Sequence, residues 1–552
     1  MRTSVFIVFL INVITNSRIW ISLHKIGSMK ILKEVFSPVT MMDEIQTKRL
    51  GVSLTSLNDS QADAVLSCIS TMKCEHRSTV KLVRGPPGTG KTKTVSTLLC
   101  VLLKMNYNIV ACAPTNVAIA ELSTRVLKLV KEPYELDPGM RNSLYSLGDL
   151  LLFGNNEYLQ LDGDLKEIFL DYRVDKLAEF LGRNSWKYYF ISLIDVLENC
   201  VSQYDIFMEN ASKSESEAVK ESGSGRCSGH SFLKFIRERF TDAALPLKRC
   251  ITTLGTCLTA DFLLQHNYKN MSILLGLLDS FECVLSRDDV VEEELKELFA
   301  EEVLNKNASL SSRGLSGNET VKCHSLDLFY KIRCESLILL KSLSNDLNLP
   351  GHMDTGEIRD LCFSTASLIF CTASSSFKLH SVVTKQPQLV VIDEAAQLKE
   401  SESTIPLQLS GIQHVFLIGD ECQLPAMIHS EVSEIAGFGR SLFERLSAAG
   451  HPKHLLNMQF RMHPEISFFP NSIFYLSDIL DAPNVKDHNY EKHCLPGPMF
   501  GPYSFISVSN GKEEFDDMSH SRRNLMEVAV VLTIVQNLFK GMFFFSFQCV
   551  HP

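Results

Sequence analysis

The segment Gly85-Pro86-Pro87-Gly88-Thr89-Gly90-Lys91-Thr92 fits the pattern G-x-x-x-x-G-K-[ST]. It lies between an apolar run at residues 80–83, which is typical of a strand, and a run from about residue 91 to 105 with helical character. Glycines in such a loop let backbone N–H groups turn around phosphates, and the helix N-terminus adds a favourable dipole. The segment therefore predicts a phosphate site in which Lys91 reaches the β- and γ-phosphates and the Thr92 hydroxyl binds Mg²⁺.

Strand-like and helix-like segments alternate on both sides of this loop, and this order predicts an α/β fold with a parallel sheet. The strand-like runs lie at 80–83, 108–113, 367–371, 389–392 and 414–418. A mostly helical stretch at 132–360 separates the first two runs from the last three. We therefore expect residues 132–360 to be an insertion into one domain, whose sheet the later strands complete.

Polar side chains end two of the later strands. Asp393 and Glu394 follow the apolar run at 389–392, and Gln423 follows the run at 414–418. Asp393 is a candidate ligand for Mg²⁺, and Glu394 is a candidate group to orient or deprotonate an attacking water. A glutamine at a strand end can bond both a γ-phosphate oxygen and a water, so Gln423 is a candidate sensor of the nucleotide state.

Five segments in this order resemble the motifs of superfamily 1 helicases. They are GPPGTGKT at 85–92, APTNVA at 113–118, DEAAQ at 393–397, GDECQLPA at 419–426 and QFRMHP at 459–464. The set is most similar to the branch that holds senataxin and the nonsense-mediated-decay helicase. The resemblance implies a P-loop NTPase with a RecA-like parallel sheet, followed by a second RecA-like lobe, with ATP and Mg²⁺ bound between the two.

The resemblance also implies roles for single residues. Gln61 resembles the glutamine that reads adenine, although an exposed glutamine at a helix start is the alternative, with Ser60 as the N-cap. Arg461 resembles the arginine that reaches the γ-phosphate from the linker to the second lobe. The residues that resemble contacts to a single strand are Pro114, Thr115, Asn116, Thr372 and Ser374.

The expected organisation has five parts. These are an N-terminal accessory segment at 1–50, lobe 1 at 51–131 and 361–458, the helical insertion at 132–360, and a linker with the start of lobe 2 at 459–552. Lobe 2 is predicted to begin with a strand at 503–508 and a helix at 528–538. Relatives continue through two further motifs, V and VI, that are not found in this sequence, which predicts an incomplete second lobe.

Composition limits the classes of function. The chain has 552 residues and a formal net charge of −10, so any nucleic acid must be held by a local groove rather than by overall charge. Its 16 cysteines include no C-x-x-C pair, the spacing typical of metal sites. The apolar run at 5–11 resembles a signal peptide, but no cleavage site follows and it is too short to span a membrane. Because the run is rich in β-branched and aromatic residues, a buried strand fits it equally well.

Two functions follow from these patterns. The first is an ATP-dependent nucleic-acid helicase, or nucleic-acid-stimulated ATPase, of the nucleus or cytoplasm that acts on single-stranded RNA or DNA, with protein partners on the 132–360 insertion. The alternative is an ATP-binding scaffold without unwinding activity. Glu394 favours the enzyme, because a binding module has no use for it. A P-loop kinase or small GTPase gives no role to residues 459–464 and is excluded.

Overall fold

The computed structural model describes part of the chain. The described residues are 13–29, 31–36, 56–73, 77–136, 146–155, 159, 163–182, 185–218, 231–259, 261–287, 290–300, 322–428, 430–487, 490, 501–516 and 521–548. Among these, no helix is long and apolar enough to cross a membrane.

Seven strands of the described residues form one sheet in the order β3-β4-β2-β5-β6-β1-β7, and every adjacent pair is parallel. Two short pairs, β8 with β9 and β10 with β11, lie outside this sheet. The strands are β1 Thr79–Arg84, β2 Ile109–Ala113, β3 Leu150–Leu152, β4 Leu368–Thr372, β5 Leu389–Ile392, β6 His414–Gly419, β7 Lys453–Leu455, β8 Met458–Gln459, β9 Leu480–Asp481, β10 Glu513–Asp516 and β11 Ser521–Asn524.

The helices of the described residues lie before, between and after these strands. They are α1 Ile14–His24, α2 Leu32–Phe36, α3 Asp59–Met72, α4 Lys91–Lys104, α5 Asn116–Leu136, α6 Leu170–Leu181, α7 Trp186–Ala218, α8 Phe232–Cys257, α9 Gln265–Leu285, α10 Glu292–Ala300, α11 Lys322–Asp346, α12 Thr355–Thr365, α13 Glu400–Leu407, α14 Glu431–Ile435, α15 Leu442–Ala448, α16 Pro464–Phe474, α17 Pro483–Lys486 and α18 Leu525–Gln548. Short 3-10 turns occur at Ile26–Ser28, Gly163–Ile168, Ser375–His380 and Ala395–Gln397.

The sheet is buried on both faces, as its sequence requires. All residues of β2, β5 and β6 are buried, and such continuous apolar strands are characteristic of parallel sheets covered on two sides. One face packs against α3, α4 and α5, and the other belongs to a core shared with the long helices of 170–365 and with α15. The predicted α/β class with a parallel sheet is therefore confirmed.

The stretch predicted as a helical insertion contributes one strand to the main sheet. Leu150–Leu152 of β3 pairs with the first residues of β4, from Leu150 opposite Leu368 to Leu152 opposite Phe370. The sequence did not predict β3, because a strand of three residues is too short to show a period. The remaining described part of 132–360 is mostly helical, as expected.

Other local expectations have mixed outcomes. The helix predicted at 528–538 lies within α18, whereas 503–508 is irregular rather than a strand. Ser60 is not the N-cap of α3. Asn58 holds that position, and its side chain accepts the N–H of Gln61 at 2.9 Å. The strand predicted at 5–11 lies outside the described residues.

Candidate ATP site and nucleic-acid edge

The predicted site residues follow the carboxyl ends of adjacent parallel strands, so they lie along one edge of the sheet. The phosphate loop follows β1, Asp393 follows β5, and the segment from Asp420 to Gln423 follows β6. The N–H of Gly85 donates to the Gly419 carbonyl at 3.0 Å, which joins the phosphate loop to the end of β6. This edge is where parallel α/β sheets bind ligands.

The phosphate loop needs glycine at two left-handed positions and at one close approach. Gly88 and Gly90 have φ of 79° and 80°, a region that side chains with Cβ disfavour. At Gly85, a Cβ would stand 2.2 Å from Cγ of Lys91. Gly90 is the N-cap of α4 and has no side chain to satisfy the first N–H groups of the helix, which therefore remain available to phosphate oxygens.

Lys91, near the end of the phosphate loop, contacts both the first residue of the loop and Glu394. Its Nζ donates to the Gly85 carbonyl at 2.9 Å and lies 3.5 Å from Oε1 of Glu394. The structure thus brings Lys91 and Glu394 together. Thr92 is the next residue of the same helical turn and is half-buried.

The carboxyl group of Asp393 is buried and has few interactions that offset its loss of contact with water. Its Oδ1 accepts the N–H of Glu394 at 3.0 Å, and only 3% of the residue is exposed. Burial, and then the neighbouring Glu394, raise the pKa of Asp393 to about 7. A carboxylate that is costly to ionise beside a phosphate loop fits a divalent cation, which would offset that cost. Among the described residues, no group of three or more His, Cys, Asp or Glu side chains could hold a metal.

The end of β6 carries a hydrogen-bond network that links Gln423 to two residues outside the predicted site, Arg84 and Tyr475. Oδ2 of Asp420 accepts from Nε2 of Gln423 at 2.8 Å and from the hydroxyl of Tyr475 at 2.7 Å. Arg84 lies 3.5 Å from the other carboxylate oxygen of Asp420 and stacks on the Tyr475 ring. Because Arg84 directly precedes the phosphate loop, the sequence could have indicated that it belongs to the site, but no sequence pattern indicated Tyr475.

The segment from Gln459 to Met462 is fixed by the fully buried side chain of Gln459. Its Oε1 accepts the N–H groups of Arg461 and Met462 at 2.9 and 2.8 Å, and its Nε2 donates to Asp481 at 2.7 Å. The N–H of Phe460 donates to the Gly88 carbonyl at 2.9 Å. This contact brings Arg461 to the phosphate loop, with its side chain exposed.

Gln61 is buried, not exposed as in the alternative interpretation. Its Oε1 accepts the N–H of Asn58 at 3.2 Å, which completes a capping box, and its Nε2 donates to the Thr89 carbonyl at 2.9 Å. The side chain therefore joins the start of α3 to the phosphate loop. Its reading of adenine stays a prediction.

The predicted single-strand contacts meet at the ends of β2 and β4. Ala113 pairs with Thr372, which places Pro114, Thr115 and Asn116 next to Ser374. Two of the hydroxyls have partners within the chain: Thr115 accepts from the N–H of Ala118 at 3.2 Å, and Thr372 donates to Ser375 at 2.8 Å. Their contact with nucleic acid stays a prediction.

Together, a parallel sheet, a phosphate loop joined to β6, a buried carboxyl and a linker segment joined to Gly88 define the nucleotide half of a superfamily 1 helicase core. A family model described as an AAA domain matches residues 56–431, which is more than half of the chain. The chain therefore belongs to this AAA-domain family, in the branch of superfamily 1 helicases that includes senataxin and the nonsense-mediated-decay helicase. A second AAA-domain model matches 438–544, and a domain of unknown function matches 1–43.

Curated relatives agree with this assignment. The chain is similar to the probable helicase MAGATAMA 3 of Arabidopsis thaliana, with 38% identity over 34% of this chain and 23% of that protein. It is similar to Helicase SEN1 of Saccharomyces cerevisiae, with 24% identity over 93% of this chain and 19% of that protein. Regulator of nonsense transcripts 1 of Caenorhabditis elegans is 29% identical over 40% of this chain and 21% of its own length. The chain thus spans about a quarter or less of these relatives.

Proposed function

We propose that this chain is an ATP-hydrolysing motor core that moves along single-stranded RNA or DNA, as a helicase. The observation that carries the proposal is the hydrogen bond from Phe460 to the Gly88 carbonyl. It connects the segment that leads towards the second lobe directly to the phosphate loop, so a change at the phosphates is transmitted to the linker.

The proposed nucleotide site divides into binding and catalytic groups. The phosphates are held by Gly85, Pro86, Pro87, Gly88, Thr89, Gly90, Lys91 and Thr92, and adenine by Gln61. Nζ of Lys91 exchanges its contacts with Gly85 and Glu394 for phosphate oxygens. That exchange frees Glu394 to orient a water, and this supports its proposed role as the general base.

ATP and Mg²⁺ are the proposed cofactors. Asp393 and the Thr92 hydroxyl are the proposed ligands of Mg²⁺, which would neutralise charge on the phosphates when bound. The 3% exposure of Asp393 supports this assignment, because its carboxylate gains most from a cation. Arg461 and Gln423 complete the proposed set at the γ-phosphate, where Arg461 stabilises the charge of the transition state.

The single strand is proposed to cross the ends of β2 and β4, at Pro114 to Asn116 and at Thr372 and Ser374. These side chains suit phosphate and sugar contacts that carry no base information. The proposed domain limits are those given above, except that β3 lies within 132–360 and belongs to the sheet of lobe 1. The insertion is proposed to bind protein partners, and the proposed location is the nucleus or the cytoplasm. The scaffold alternative is not favoured, because the relatives are named as helicases.

The test is steady-state ATP hydrolysis by the 552-residue chain, with and without single-stranded RNA and DNA. The expected result is hydrolysis that rises with a single strand and is lost in Lys91→Ala and Glu394→Gln, while Glu394→Gln still binds nucleotide. Nucleotide binding without hydrolysis under any condition would support the scaffold instead. Strand-independent hydrolysis that survives Glu394→Gln would refute the proposed site.

A further inference from the structure

The N-terminal helix α1 contacts the proposed single-strand path at Ser374. Nη1 of Arg18 donates to both the carbonyl and the Oγ of Ser374, each at 3.0 Å. The hydroxyl of Thr15 lies 3.2 Å from the same Oγ. The hydroxyl of Ser374 therefore contacts α1, and these bonds place the guanidinium of Arg18 at this point of the edge.

α1 is held as part of lobe 1. Ile19 is buried against it, and the Gln408 side chain donates to the carbonyl of Ser22. Farther along the same segment, Ile31 and Val35 belong to the core that includes β1, and Arg445 donates to the Val35 carbonyl at 3.0 Å. Because α1 and the residues after it pack on the core of lobe 1, the side chains of α1 stay at the edge of the sheet as long as this core is folded.

Among the residues that the structure describes, no acidic side chain neutralises the charge of Arg18. Within the described ranges, no carboxylate lies within ion-pair distance of its guanidinium, and its other close contact is the ring of Phe377, 6.0 Å away. Burial lowers the pKa of Arg18, as expected where no carboxylate offsets desolvation. Its hydrogen bonds to Ser374 use Nη1, and a guanidinium offers five N–H donors in a planar fork that suits a phosphate.

We propose that Arg18 binds a backbone phosphate of the single strand and that Ser374 positions this guanidinium. This inference rests on the proposed function and extends the strand path onto a helix that none of the five motifs contains. A cation at this edge would give a polyanion a local point of attachment on a chain whose net charge is −10.

The experiment measures binding of fluorescent single-stranded RNA and DNA oligonucleotides to the 552-residue chain by anisotropy, across a series of salt concentrations. Arg18→Gln removes the cation, and Arg18→Lys keeps the charge without the fork. Lys104→Gln is the control, because Lys104 ends α4 at the opposite edge of the sheet and is exposed. Thermal melting of each variant reports on the packing of α1.

Arg18→Gln is expected to weaken binding about 10-fold at low salt and to reduce the slope of log K against log salt by about 0.7, the loss for one phosphate contact on a single strand. Arg18→Lys should keep most of the slope, and Lys104→Gln should bind as the parent does. A lower melting temperature with an unchanged slope would mean that Arg18 only anchors α1, which overturns the inference.

Two further outcomes separate this inference from the proposed function. If the parent binds single strands and Arg18→Gln binds equally well with the same slope, the inference is overturned and the helicase proposal stands. If the parent binds neither polymer, both are overturned.

Discussion

Asp393 provides the sharpest test of the nucleotide site, because its burial makes its ionisation costly when nothing is bound. Burial and Glu394 raise its pKa from 3.8 to about 7. A rise of about three pKa units lowers the free energy of unfolding by about 4 kcal/mol at alkaline pH. We therefore expect Asp393→Asn, which cannot ionise, to be more stable than the parent above pH 7.

The sign and the pH window follow from the raised pKa. Below pH 3.8 the carboxyl of Asp393 is protonated in both the folded and the unfolded chain, so its ionisation does not reduce the free energy of unfolding. As pH rises towards 7, the unfolded chain ionises while the folded chain does not, so stability is lost up to the folded pKa. Between pH 5 and pH 8 the advantage of Asp393→Asn over the parent should grow by about 3 kcal/mol.

The assay is urea unfolding at pH 5, 6, 7 and 8 in a chelator, repeated with Mg²⁺ and ATP. Bound Mg²⁺ requires the ionised form, so the stabilisation of the parent by Mg²⁺–ATP should increase with pH, and Asp393→Asn should lose most of it. Glu402→Gln is the matched control. Burial also raises the pKa of Glu402, but this side chain lies on α13, and the variant should keep the response to Mg²⁺–ATP.

If the free energies of unfolding of the parent and of Asp393→Asn change in parallel from pH 5 to pH 8, the raised pKa of Asp393 is refuted. An unchanged response of the variant to Mg²⁺–ATP would refute the proposed metal ligand while leaving the account of burial intact.

Three further predictions concern stability. Asn58→Ala removes the N-cap of α3 and should cost about 1 kcal/mol in urea unfolding, so an unchanged midpoint would contradict the observed capping box. Tyr475→Phe removes a donor from buried Asp420 and should cost about 2 kcal/mol, checked in the same way, with no loss arguing that this bond does not form in solution. Gly148→Ala would place a Cβ 2.6 Å from a backbone carbon and should lower the melting temperature by several degrees, which calorimetry would detect.

The sequence was sufficient to predict the elements that local sequence patterns determine. The apolar runs that became β2, β5 and β6 are long enough to identify, and the phosphate loop carries its own glycine pattern. The polar residues that end strands could be placed at one edge because parallel strands share their carboxyl ends.

The remaining features depend on contacts between residues far apart in the chain. β3 is recognisable only through its partner β4, more than 200 residues away, and the Tyr475–Asp420 bond joins residues 55 positions apart. Asn58 and Ser60 are both good N-cap residues, and sequence alone does not choose between them. The contact of Arg18 with Ser374 spans 356 positions and had no local signal.

The strand order has a consequence for biosynthesis. β2 lies between β4 and β5, so its hydrogen-bonding partners are made only after residue 368, about 260 positions later. At about 5–20 residues per second, a ribosome needs roughly 13 to 50 s to supply them. During that interval the nascent chain exposes a fully apolar strand that has nothing to pair with. Folding of this protein in the cell is therefore expected to depend on chaperones that shield the first two strands until synthesis of the sheet is complete.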